Sequence, residues 1–193
     1  MPKKTKTSHR QRSLPPVVTA HLATSRIKID GKLNEPDWQQ AEIVKDFFRM
    51  EPLQGVSYLY DTKVRLLYDE KNLYAGAFCK DSLGRKGVRV QDLRRDFSWG
   101  ENDIFFVQLD PQNLKQYYIS FQTTPYGDQR DMQAFNDQNY DNDWNALWSV
   151  FALIARILVT MRRVCHPFQI HSLSRNNSDE PPTWGITFSR LAR

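Results

Sequence analysis

Ile104, Phe105, Phe106, Val107 and Leu109 place five apolar side chains in a short run. A polar turn, Gly100-Glu101-Asn102-Asp103, precedes it and Asp110-Pro111 stops it. A run this short, β-branched and aromatic, and punctuated at both ends, reads as a strand buried in a sheet. Such a strand needs partners, and the chain supplies them at regular spacing. Thr62 to Leu67 alternates, with Val64 and Leu66 on one face. Asp69-Glu70-Lys71-Asn72 turns the chain and Leu73 to Cys79 returns, which predicts an antiparallel hairpin. Tyr117 to Thr123, closed by Pro125-Tyr126-Gly127, is a further strand, as are Trp144 to Val150 and Trp184 to Leu191. Ile27-Lys28-Ile29 alternates before a turn at Asp30-Gly31, and Val17 to Thr19 reads as a short extended segment.

One helical turn is predicted, Pro36 to Ala41. Asn34 would cap it, Pro36 would sit in its first turn, and Trp38 and Ala41 would pack inward. Arg85 to Arg95 and the Asp- and Asn-rich stretch Asp128 to Asp143 read as loops. Short strands, abundant turn residues and almost no helix predict an all-β fold, an antiparallel sandwich of jelly-roll or immunoglobulin-like type.

Charge excludes some functions. The net charge of +5 is concentrated in two acid-free stretches. Residues 1–26 hold Lys3, Lys4, Lys6, Arg10, Arg12 and Arg26, and residues 151–178 hold Arg156, Arg162, Arg163 and Arg175. Without those ten cations the body carries 17 basic against 22 acidic residues. An acidic body argues against nucleic acid as a partner. Residues 1–16 read as a disordered basic tail without the apolar core of a signal peptide. No apolar run approaches the ~18 residues of a membrane span. Cys79, inside an apolar run, reads as a small core residue. With Cys165 it makes neither a disulfide framework nor a zinc motif.

Trp99, at the mouth of the Ile104 strand, is a natural platform for a flat, polar-edged ligand such as a sugar. Glu101, Asp103 and Asp110 suggest a glycosidase pair only superficially. Neighbours on one turn and strand do not face each other across a cleft. The loop acids Asp128, Asp131, Asp137, Asp141 and Asp143, with Asn136, Asn139 and Asn142, offer hard oxygen ligands for Ca²⁺, Asp137, Asp141 and Asp143 foremost. They lack EF-hand spacing, a solvated polar loop is the plainer reading, and no cofactor is required.

Five stretches together resemble the family 9 carbohydrate-binding module. They are Ile29–Ala41 (IDGKLNEPDWQQA), Thr62–Asp81 (TKVRLLYDEKNLYAGAFCKD), Ser98–Pro111 (SWGENDIFFVQLDP), Tyr117–Asp131 and Asp143–Val150. The likeness resumes at Pro181–Arg190. It is strongest to a bacterial branch found at the N-terminus of exported proteins, often ahead of an outer-membrane barrel. The resemblance implies one domain over 17–193 that binds sugars, is not an enzyme on its own, and serves a polysaccharide-degrading or outer-membrane parent. It implies an extracellular, periplasmic or outer-membrane location, and a barrel or hydrolase domain as C-terminal companion. It also implies that two aromatics clamp the sugar, and it sometimes brings a structural calcium.

The resemblance implies that Trp99 is one wall of that clamp, with Glu101, Asn102 and Gln122 as the polar groups that read the sugar's hydroxyls. Gln122 stands where sugar-binding members have an Arg. The second wall follows the last strand in the family, so the C-terminal part of the module is expected to be missing after Arg193. Trp148 and Trp184 are expected in the core or at its rim. Phe151 to Ser178 shows neither helical nor strand pattern. In shifted reading frames Ile154–Arg163 and Ile170–Ser174 can be read as family segments, while Pro167-Phe168 matches in frame, so 151–178 is expected to be a frameshifted stretch. Besides sugar binding, two other functions are open: an interaction sandwich that has lost its sugar site, and glycoside hydrolysis in the full-length parent.

Overall fold

The computed structural model describes residues 16–50, 61–136, 139–162 and 183–192. Among these the chain forms ten strands and one short α-helix. The strands are β1 (His21–Leu22), β2 (Thr62–Tyr68), β3 (Asn72–Cys79), β4 (Ile104–Asp110), β5 (Tyr117–Thr123), β6 (Gln129–Phe135), β7 (Asn139–Asp141), β8 (Trp148–Leu153), β9 (Arg156–Arg162) and β10 (Gly185–Leu191). The helix, α1, is Pro36–Gln40. Two five-stranded sheets result, ordered β1-β2-β3-β9-β8 and β10-β4-β5-β6-β7. The architecture is the all-β sandwich expected.

The main core lies between the sheets. Val64, Leu66, Ala75, Ala77 and Val159 of the first sheet pack with Phe105, Val107, Leu109, Ile119 and Phe121 of the second. Val64 and Leu66 share a face, as their alternation requires. Leu67 points the other way and joins Tyr74, Leu158, Ile27, Trp38 and Ala41 in a second apolar cluster. The first sheet is therefore covered on both faces, which explains why β3 reads as a nearly continuous apolar run. The space beneath Trp38 is tight. A Cβ on Gly76 would stand 2.8 Å from Trp38 Cζ3 and 2.9 Å from Leu33 Cδ2.

Trp38 and Ala41 point inward as predicted, but the cap differs. Glu35 occupies the N-cap position in extended conformation, without a side-chain capping bond. Its Oε1 accepts the Lys28 N–H at 3.0 Å instead. The tie that matters is Asp37. Its Oδ1 accepts the N–H and hydroxyl of Thr24, each at 2.8 Å, and its Oδ2 accepts the N–H and hydroxyl of Ser25. The Ser25 hydroxyl, then the Thr24 backbone, hold this carboxyl far below the ordinary carboxylate range. The staple lays the chain before α1 across the first sheet. That is why Ile27 to Ile29 is not a strand: Ile27 inserts into the face cluster instead of lining an edge. The edge position goes to His21–Leu22, parallel to β2.

Three further expectations change. The strand placed at Trp144 to Val150 lies at Trp148–Leu153, and Trp144 packs edge-on against Phe121 at 6.4 Å ahead of it. The supposed loop Asp128 to Asp143 contains β6 and β7. On β6, Met132 and Ala134 are buried on one face, while the other includes Asp131, buried through pairing. An acid at an inward position hides the alternation. Finally, the lack of pattern expected from Phe151 fails over 151–162, where β8 ends and β9 runs. β9 pairs with β3 from Asn72 to Phe78, and buries Ile157, Leu158, Val159 and Met161. A strand covered on both faces loses its period of two. Residues 163–178, the basic tail apart from Pro16, and Asp137 lie outside the described residues.

Candidate functional site

The inward side chains of β4 and β5 fix what faces outward. Phe105 and Val107 point to the core, so Phe106 lies on the opposite face. Ile119 and Phe121 likewise leave Ser120 and Gln122 on that outer face. Register then sets three residues side by side across the strands: Phe106 opposite Gln122, and Gln122 opposite Arg130.

The chain entering β4 is tied over this row. Asp96 donates its N–H to the Gln129 carbonyl at 2.9 Å, and Arg130 Nη1 donates to the Phe97 carbonyl at 2.8 Å. Trp99 stands on this segment, 41% exposed. Its indole Nε1 donates to Gln122 Oε1 at 2.6 Å. Phe106 meets it edge-on with centroids 6.1 Å apart, and the Arg130 guanidinium carbon lies 5.5 Å from its ring centroid. A ring held by a hydrogen bond, an aromatic edge and a cation is a fixed platform rather than a swinging side chain.

Glu101, Asn102 and Gln122 divide into different jobs. Gln122 is fully buried. Its amide oxygen takes the Trp99 indole and its Nε2 donates to Ser120 Oγ at 3.0 Å. Asn102 is also fully buried. Its Oδ1 accepts from the N–H of Gln91 and Asp92, at 2.8 and 3.2 Å, and its Nδ2 donates to the Ser98 carbonyl at 2.7 Å. Asn102 thus closes the loop on which Trp99 stands. Glu101 is exposed, 3.5 Å from the Arg89 guanidinium. The other two acids also brace backbone. Asp103 accepts the Arg89 N–H at 2.9 Å, and Asp110 accepts from Gln112 and Lys115.

Sequence reasoning missed Arg130. The signal existed: a hairpin folded at Pro125-Tyr126-Gly127 puts Arg130 across from Gln122. Asp131, grouped in the sequence with the loop acids offered to Ca²⁺, instead lies on β6, where its carboxylate takes Arg95 Nη2 at 2.6 Å and the Ala146 N–H at 2.5 Å. Burial nevertheless pushes this carboxyl above its ordinary range. Trp148 is buried against Phe121, centroids 5.4 Å apart, and Trp184 packs at the core's margin, so both are where they were expected. Asp141 and Asp143 are exposed, with Asp141 Oδ1 accepting the Asp143 N–H at 3.0 Å. Among the described residues no three His, Cys, Asp or Glu gather to hold a metal. No helix there is long and apolar enough to cross a membrane.

No protein-family profile matches the chain, and no curated protein sequence matches it. Solved structures do. A candidate carbohydrate-binding protein from Bacteroides uniformis superposes with a TM-score of 0.59 at 10% identity, over 91% of this chain and 82% of that one. Two structures of a family 9 carbohydrate-binding module from Caldicellulosiruptor kristjanssonii are also similar. The complex with glucose gives a TM-score of 0.48 at 13% identity, over 86% of this chain and 74% of that one. The complex with cellotriose gives 0.47 at 14%, over 88% and 73%. At 10% identity, the likeness to the Bacteroides uniformis structure shows a shared sandwich fold.

Proposed function

We propose that this chain is a non-catalytic carbohydrate-binding domain in which Trp99 stacks on the face of a pyranose. The observation that carries the proposal is Trp99 itself. It is a part-exposed indole locked by Gln122 and Phe106 at the lip of a rigid sheet, on a loop braced by Asn102 and Asp103. Preorganised aromatic surface is what an otherwise weakly bound, hydroxylated ligand needs, because little ordering entropy is then spent on binding. The fold shared with the Bacteroides uniformis protein supports the reading. The non-catalytic part is supported by the acids, since Asp103 and Asp110 stand at opposite ends of β4 and each is engaged in accepting backbone N–H groups, rather than facing each other across a cleft. As part of a larger exported protein, such a domain would hold a polysaccharide near a barrel or hydrolase partner.

Trp fluorescence titrated with cello- and xylo-oligosaccharides tests the proposal. Binding in the millimolar range or tighter is expected. Trp99→Ala should weaken it at least about tenfold, the equivalent of losing ~1.5 kcal/mol of aromatic contact. Full binding retained in Trp99→Ala would overturn the assignment. A second reading, an interaction sandwich without a sugar site, is favoured by one observation. Gln122 and Asn102, expected to read hydroxyls, are both sealed beneath the platform. Absence of any sugar response in the wild-type chain would decide for it.

A further inference from the structure

Four arginines surround the Trp99 loop, and three of them are neutralised. Arg89 pairs with Glu101, Arg94 with Asp92 at 2.9 Å, and Arg95 with Asp131 at 2.6 Å. Arg130 is different: among the described residues no carboxylate lies within ion-pair distance of it. Its Nη1 is spent on the Phe97 carbonyl and its Nη2 on Asn142 Oδ1 at 3.0 Å, both neutral acceptors, and its Nε is buried without a partner. Two neutral bonds fix the guanidinium in place and leave one N–H on each terminal nitrogen. A part-buried cation held rigid but not compensated is costly for the free protein, and a ligand anion removes that cost.

We propose that the Trp99 site takes an acidic oligosaccharide, in which a uronic-acid carboxylate is bound by Arg130. The inference rests on the carbohydrate-binding reading of Trp99 and adds the charge of the sugar to it. A uronate unit stacked on the exposed part of the indole, or the unit linked to it, carries its carboxylate past the ring edge toward the guanidinium. A planar carboxylate matches the planar donor set of arginine, which a hydroxyl does not. Arg130 thus supplies, from β6, a cation beside the position where Gln122 stands on β5.

The experiment is calorimetric titration of the whole chain with trigalacturonate and a glucuronate-substituted xylotriose, beside the methyl esters of both and neutral cellotriose. Esterification removes the charge and keeps the sugar. Each acid is expected to bind on the order of tenfold tighter than its ester, the increment typical of a charged over a neutral hydrogen bond. In Arg130→Gln that ratio should fall to about one, and in Arg130→Lys it should be partly kept. Esters binding as tightly as the acids would overturn the role of Arg130 while leaving carbohydrate binding intact. A response to cellotriose alone would do the same. Silence toward all five ligands would overturn the carbohydrate reading and this inference with it. The wild-type comparison of acid with ester does not depend on any variant folding.

Discussion

Gln122 shows how much one buried amide can decide. Its oxygen fixes the indole of Trp99 and its nitrogen fixes Ser120, so replacing it strands two polar groups at once. Gln122→Leu should cost about 1–3 kcal/mol in denaturant unfolding. The Trp99 emission should also shift as the ring loosens, and sugar affinity should fall further than stability alone explains. Asp37 offers a pH test. Its carboxyl is held far below the unfolded value of 3.8, so the folded chain binds that proton less readily than the unfolded one. Its stabilisation is fully present above the unfolded value and is lost as the pH falls below it. Burial raises Asp131, which works in the opposite sense, so the readout is a comparison. Between about pH 5 and about pH 2, the melting temperature of the wild type should drop more steeply than that of Asp37→Asn. Equal slopes would remove Asp37 as the acid-sensitive staple. At this scale the sequence showed residue types better than roles. Trp99 stood out because an aromatic preceded a polar turn and a strand. Whether Asn102 and Gln122 faced solvent depended on a loop crossing the sheet, and no local pattern records that.

Elements were legible where one face of a strand meets water or where turn residues bracket it. β2, β3, β4 and β5 fall within a residue or two of their sequence-based limits for that reason. β9 and β6 did not show themselves. β9 is covered on both faces, and β6 carries Asp131 inward on the strength of Arg95, a residue far away in sequence. β9 makes a two-sided prediction. Ile157 and Leu158 point to opposite apolar clusters. Ile157→Ala and Leu158→Ala should each cost about 2–5 kcal/mol in chemical denaturation. If either is neutral, that face of the strand is not packed as described. In β3, Gly76→Ala should destabilise by about 1–3 kcal/mol, because the new methyl group meets the rigid ring of Trp38 as well as the more yielding end of Leu33.

Across the whole molecule, the sheets are tied at one end by Arg190. From β10, its Nη1 donates to the Lys80 carbonyl at 2.7 Å and its Nη2 lies 3.6 Å from Asp81, just beyond β3. Cys79 sits beside this tie, and burial pushes its thiol up to about 11, so it stays protonated at neutral pH. Iodoacetamide should leave Cys79 unmodified in the native protein and label it once the sandwich opens, as peptide mapping by mass spectrometry will show. The strand order carries a consequence for how the chain is made. β3 takes β9 as its neighbour and β4 takes β10, and both partners come late in the sequence. At about 5–20 residues per second, a ribosome leaves the β2–β3 hairpin and the β4–β5 pair with open, apolar-backed edges for several seconds. Self-association during synthesis, rather than weakness of the finished fold, is then the hazard this topology sets.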